Sequence, residues 1–199
     1  MTSVAWWGGA SSVAAPVLLV GGWSVAASRQ EPPFDSVTGT ISALAAHGAD
    51  DRWLMTGALL GVGLCHMVTA AALRPGRRPG RWVLAAGGLA TVGVALAPLP
   101  ADSSRSITHA VFATTAFVSL AAWPAFADRS GSEVCWGLRT TVARLASAAL
   151  ITLVAWFFVT SVVGGPDVGR AERVAAAAQS VWPAVVVWSA LAAQRRERV

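Results

Sequence analysis

The chain has 199 residues, of which 55% are hydrophobic and only 13% charged, about half the charged share of an ordinary soluble domain. Too little polar surface remains to cover a globule in water, so a soluble fold is excluded. The formal net charge is +5 and the pI near 11.2, yet the arginines form no stripe with interleaved aromatics, which argues against a nucleic-acid-binding surface.

Six stretches are long and apolar enough to cross a hydrocarbon core, which takes roughly 20 residues of helix. They run approximately over residues 11–27, 53–73, 82–99, 107–127, 142–163 and 174–193. The first extends back toward Trp6 and Trp7 and has no basic residue ahead of it, so it reads as a retained span rather than a cleaved signal. The loop that follows, Ser28 to Arg52, is the longest and has a pattern of its own. After Pro32 and Pro33, Asp35 or Ser36 can cap a helix in which Val37, Ile41, Leu44 and Ala45 form one apolar stripe, with His47-Gly48 as its stop. A short amphipathic helix on the face of the bundle is expected there.

The second span carries Gly57 and Gly61 as a small-xxx-small pair, with Cys65 and His66 beyond them, and the third carries Gly87, Gly88 and Gly93. Such residues let helices approach closely inside lipid. The turn between these spans reads RPGRRPGR. Trp-Pro occurs at Trp123-Pro124 in the fourth span and Trp182-Pro183 in the sixth, where Pro183 frees the carbonyl of Gln179. Neither Cys65 nor Cys135 has the spacing of a disulfide or zinc motif, and no metal or cofactor is implied.

Ten of the 15 arginines fall on one side, among them Arg74, Arg77, Arg78, Arg81, Arg129, Arg139 and Arg144 and the tail to Arg198. The positive-inside rule places that side in the cytoplasm. The expected fold is therefore all-α: a single bundle of six transmembrane helices over residues 1–199, with both termini cytoplasmic in the cell membrane. Trp53, Trp82 and Trp136 fit an aromatic belt at the span ends.

Most other polar residues fall in the three loops of the opposite, outer side: Asp35, His47, Asp50, Asp51 and Arg52, then Asp102, Arg105 and His109, then Asp167, Arg170, Glu172 and Arg173. Individually they read as caps and anchors, Asp50 or Asp51 for span two, Ser106 or Thr108 for span four and Glu172 at the dipole of span six. Together they compose an acid–base cluster. Its candidate catalytic residues are Asp35, Asp51, Asp102, His109 and Glu172, and Asp102 or Asp35 are the natural partners of His109. Candidate substrate-binding residues are His47, Arg52, Trp156, Arg173, Gln179 and Trp182, the aromatics as the wall of an apolar cavity and Gln179 as the continuation of the Glu172 face. His66 is the deepest ionisable group, satisfied by a neighbouring helix or reserved for function.

The stretch FDSVTGTISALAAHGADDRWLMTGALLGVGLCHMVTAAALRP, with PADSSRSITHAVFA and GRAERVAAAAQSVWP further on, resembles actinobacterial members of domain-of-unknown-function family 998. The resemblance spans nearly the whole chain and is most specific from Ser42 to Trp53. It implies a small multi-span membrane protein and no established activity. The leading expectation for function is a site that binds or transforms a lipid-like molecule through the outer acid and histidine cluster, for example by proton-initiated cyclisation of an isoprenoid, as some membrane terpene cyclases of similar size do. A non-catalytic accessory, sensor or envelope-organising protein is the alternative, with its protein partner unknown, and a small transporter is the third. Membrane lipid is the expected surrounding in every case.

Overall fold

A computed structural model describes residues 3–102, 104, 106–131 and 133–196; Arg105 and Arg198 lie outside the described residues. Six helices form in chain order: α1 Trp6–Ala27, α2 Trp53–Ala72, α3 Arg78–Leu96, α4 Ile107–Ala127, α5 Thr140–Val163 and α6 Val168–Arg196. All six are long and apolar enough to cross a membrane, and among the described residues there is no strand. Each helix packs on its neighbours in sequence and α1 closes against α6, so the six make a ring. This is the architecture of a multi-pass membrane protein. Valines and leucines stay exposed along α1 and α5, the surface that acyl chains solvate.

Close approach depends on glycine at one crossing above all. A Cβ on Gly63 would lie 2.5 Å from the Gly88 carbonyl oxygen, and one on Gly88 would lie 2.6 Å from the carbonyl of Gly63. The backbones of α2 and α3 touch there, as small-residue packing in lipid requires. Gly57, expected to pair with Gly61, instead faces outward with nothing near its Cβ position, while Gly61 packs on Leu18.

Two expectations are corrected by the backbone. The first loop contains no amphipathic helix. Turns over Ser36–Gly39 lead into a four-residue 3-10 segment, Ser42–Ala45. Ile41, Leu44 and Ala45 of the expected stripe are buried and Val37 is half-buried, but only isolated turns bond within the loop, at Gly39, Leu44 and Ala46, while the carbonyls of Ser36, Val37 and Gly39 and the amide of Ile41 bond to α6. The second correction concerns α6, which begins at Val168 rather than near Val174. Glu172 and Arg173 are therefore helical residues of the bundle, not loop residues. Its first turn is closed by the Asp167 carbonyl accepting from the amide of Ala171.

Buried clusters occupy both ends of the ring. One gathers Ile41, Leu44 and Met55 under the first loop, and the other gathers Leu73, Leu84, Trp123 and Leu138 at the arginine-rich end. Valine in place of Gly88 should force α2 and α3 apart and destabilise the bundle by about 1–3 kcal/mol. Valine in place of Gly57 should leave it unchanged; thermal unfolding in detergent checks both, and equal losses would refute this assignment of the crossing.

Candidate functional site

Between the two clusters lies a cavity of about 70 Å³. Leu59 and Val62 of α2, Val94 of α3 and Phe117 and Leu120 of α4 supply much of its apolar wall, and Ile41 and Ser42 of the first loop close one end. Four polar side chains line it besides Ser42: His66 and Thr91 from α2 and α3, and Glu172 and Gln179 from α6, with Ser180 beside the last.

The loop reaches this place because α6 holds it down. The amide of Arg170 donates to the Val37 carbonyl at 3.0 Å. Arg173 Nη1 donates to the carbonyls of Ser36 at 2.9 Å and Gly39 at 2.7 Å, and its guanidinium lies 5.6 Å from the ring centroid of Phe34 and 5.9 Å from that of Trp23. Gly169 is required beneath, because a Cβ there would run into the Gly39 backbone. Held this way, the loop presents the Ile41 amide to a Glu172 carboxylate oxygen.

Ser42 then joins an acid to a histidine. Its hydroxyl lies 3.3 Å from Glu172 Oε1 and 3.1 Å from His109 Nε2, while His109 Nδ1 lies 2.8 Å from the Ala97 carbonyl oxygen. All three elements are far apart in sequence and meet only here. Ser106 caps α4 by accepting from the His109 amide at 3.4 Å, which sets the histidine, itself buried, in the first turns of the helix toward the rim of the bundle.

Proton counting decides what this chain of groups can do. A carbonyl only accepts, so His109 Nδ1 carries a proton. If the single Ser42 proton goes to Glu172, then Nε2 must donate, and the pair is an imidazolium and a carboxylate. If it goes to Nε2, then Glu172 must be the protonated donor to Ser42, and both ends are neutral. The two arrangements contain the same protons and differ by one hop along each hydrogen bond. The chain can therefore pass a proton between Glu172, at the cavity, and His109, at the rim.

Two further groups face the cavity with nothing to bond. Both ring nitrogens of His66 and the hydroxyl of Ser180 have no partner among the described residues, although His66 is only 1% exposed. Buried polar groups are normally satisfied, so this is a place for water or for a polar atom of a ligand. Gln179 is already engaged, its Nε2 donating to the Phe117 carbonyl at 2.7 Å.

Of the residues nominated from sequence, the structure brings together Glu172, His109, Arg173 and Gln179. Asp35, Asp51 and Asp102 are exposed on the loops and are not among the described residues that line the cavity. Asp35 and Asp102 serve their own turns, accepting from the Val37 amide at 2.9 Å and the Ser104 amide at 3.0 Å. Those bonds hold both carboxyls below their ordinary value. The Asp51 carbonyl accepts from the Leu54 amide at 2.9 Å. His47 is exposed and tied by its amide to Leu99 at 3.0 Å, and Arg52 lies 3.9 Å over the Trp53 ring. Neither Trp156 nor Trp182 lines the cavity; Trp182 packs 6.1 Å from Trp136, and the aromatic facing the cavity is Phe117. The expected partners of His109, Asp102 or Asp35, are replaced by Glu172 through Ser42.

The Asp35 bonds make loop docking sensitive to acid. A carboxyl lowered in the folded state contributes fully above its ordinary value of 3.8 and loses that contribution as pH falls through the lowered value. Hydrogen exchange at the Val37 amide should therefore accelerate, relative to its intrinsic rate, on going from pH 5 toward about pH 3. Asp35→Asn should show the faster exchange already at pH 5, and unchanged protection across that range would refute the role of Asp35.

No curated protein and no solved structure matches this chain. The family profile for a protein of unknown function (DUF998) matches residues 13–189. That match takes in α2 to α5 whole, most of α1 and α6, the loop that carries Ser42 and the α6 turn that carries Glu172, and the chain belongs to this family.

Proposed function

We propose that this membrane protein binds a lipid-like amphiphile in the cavity beneath the first loop and exchanges a proton with its polar end through Glu172, Ser42 and His109. The observation that supports the reading is the hydrogen-bonded chain from Glu172 to His109 ending on an apolar-walled cavity. Glu172 is the group that meets the ligand, Ser42 carries the proton, and His109 takes it up or supplies it from the rim. Arg173 is a positioning residue, fixing the loop on which Ser42 rides. His66 and Ser180 offer hydrogen bonds to whatever polar atom reaches the inner end.

Size limits the chemistry. The cavity, at about 70 Å³, is roughly half the ~150 Å³ of an apolar cavity that binds benzene. A folded isoprenoid chain does not fit in that space, and the aromatic wall expected from Trp156 and Trp182 stands elsewhere. Proton transfer at one end of an amphiphile is better supported than cyclisation of a whole chain. The site opens, in this reading, on the outer side, with the termini and the Arg74–Arg81 turn in the cytoplasm. A single cysteine at position 76 of an otherwise cysteine-free chain should be unreachable by an impermeant maleimide in intact cells, and labelling there would reverse the orientation.

Native mass spectrometry tests the binding directly. Wild-type protein and Glu172→Gln, purified from the same membranes, should both retain an apolar adduct. Ala176→Phe, which fills the cavity, should retain less than about a tenth of it, as expected for a filled site. An adduct equally present in Ala176→Phe, or absent from all three proteins, would remove this reading.

One observation favours a second reading. Titratable groups on three helices, His66 of α2, His109 of α4 and Glu172 of α6, share the interior, as a proton-coupled carrier would require. Proton uptake into dye-loaded liposomes that is lost in His66→Leu, with no adduct in any variant, would favour the carrier over the acid–base site.

A further inference from the structure

The opposite end of the bundle carries a second polar concavity that the acid–base site does not use. It measures about 460 Å³ and is lined by Arg77, Asp128, Arg129, Ser130, Thr140 and Arg144. The three guanidiniums come from three segments: the turn before α3, the stretch after α4, and the second turn of α5. Backbone bonds fix these segments together. The Arg77 amide donates to Ala127 at 3.2 Å, the Arg129 amide to Leu138 at 2.8 Å and the Thr140 amide to Arg129 at 3.2 Å.

One carboxylate serves two of the three cations. Asp128, its side chain only 8% exposed, lies 3.7 Å from Arg77 Nη1 and 3.4 Å from Arg144 Nε. Both are single-point contacts that leave the forked guanidinium donors available. The Arg129 guanidinium makes no ion pair to Asp128, so three arginines and one aspartate line the concavity, two positive charges in excess. By contrast, Arg81 and Arg139 at the same end are already engaged with carbonyl oxygens.

Helix ends add to the deficit. The N-termini of α3 and α5 open here, with Arg77 and Arg139 as N-caps that make no side-chain capping bond, and neither helix has an acidic residue in its first turn. Their positive dipole ends add to the charge of the arginines and favour a further anion beside Asp128. The two helices that meet at the concavity, α4 and α5, carry exposed apolar side chains close to it in the chain. Phe126, two residues before Asp128, is 51% exposed, and Leu145, next to Arg144, is 66% exposed.

The geometry points to a binding site for the phosphate-bearing headgroup of an anionic phospholipid, held by Arg77, Arg129 and Arg144 with its acyl chains against Phe126 and Leu145. A guanidinium fork matches phosphate oxygens in pairs, and the adjoining apolar surface favours a lipid over a soluble phosphate.

Thermal unfolding of the purified protein in detergent, with lipid added, tests the assignment. Phosphatidylglycerol at a hundredfold excess over its Kd should raise Tm by about 5–10 °C. Phosphatidylcholine and inorganic phosphate should leave it unchanged. Arg129→Gln, which removes no ion pair to Asp128, should lose at least half of that shift, and the Arg77→Gln/Arg144→Gln double variant should lose all of it. The single variant decides if the double variant does not fold. A full shift in Arg129→Gln, or an equal shift with phosphatidylcholine, would overturn the site. Stabilisation by inorganic phosphate alone would overturn the lipid as its ligand.

Discussion

The backbone between Ser36 and Ser42 forms no strand and no α-helix, yet it lies across the end of a bundle where water cannot satisfy every amide and carbonyl. Its partners come from one turn of α6. Arg170 and Arg173 take up the carbonyls of Ser36, Val37 and Gly39, and Glu172 takes up the Ile41 amide. Backbone groups covered by protein and left unpaired are costly. This pairing is therefore what holds the loop against α6. Ser42 owes its place to it, and with Ser42 goes the connection between Glu172 and His109.

The same requirement explains why charged residues are tolerated in helices otherwise built of alanine and valine. Glu172 and Arg173 are adjacent, but they do not pair as a simple ion bridge. Nη1 of the arginine goes to carbonyls, with the faces of Phe34 and Trp23 beside the guanidinium and Nε and Nη2 without a partner among the described residues, and the glutamate goes to an amide and a hydroxyl. An uncompensated buried charge would cost several kcal/mol. A chain that can hold its proton at either end relieves that cost, because its ends are neutral together or oppositely charged together. Asp128 solves the problem differently, with two arginines beside a nearly buried carboxylate. One end of the molecule thus holds its acid through a hydroxyl and a histidine, and the other holds its acid between fixed cations.

Much of this is legible in the amino-acid order, and the failures have a common cause. The six helices follow from apolar length, a property each segment carries by itself. The start of α6 was placed too late because Glu172 and Arg173 interrupt the apolarity, and nothing local says that a loop supplies their partners. The pattern over Val37–Ala45 has helical spacing, but the Val37 and Gly39 carbonyls and the Ile41 amide bond to residues of α6, 131 positions away in the case of Ile41. Gly57 looked like a packing residue by its spacing with Gly61, whereas the contact is made by Gly63 against Gly88. Spacing names a face but not its neighbour. Glu172, His109, Arg173 and Gln179 could be nominated by residue type, since ionisable and amide groups are rare in such segments. Ser42 could not, because a loop serine acquires meaning only from what it bridges.

What the bundle leaves unfilled is as informative as what it packs. Alanine at positions 113, 116 and 176 on α4 and α6 holds the walls of the cavity back, where leucine would have closed them. Interiors ordinarily reach crystal-like density, and each orphaned buried polar group costs about 1–3 kcal/mol. His66 and Ser180 are both left without partners around that space. A sequence tuned for stability alone would fill the void and make His66 apolar, which is within reach of single substitutions on three helices. Keeping the void, the histidine and the serine together makes sense if an occupant completes them, and an occupant in that position has Glu172 beside it.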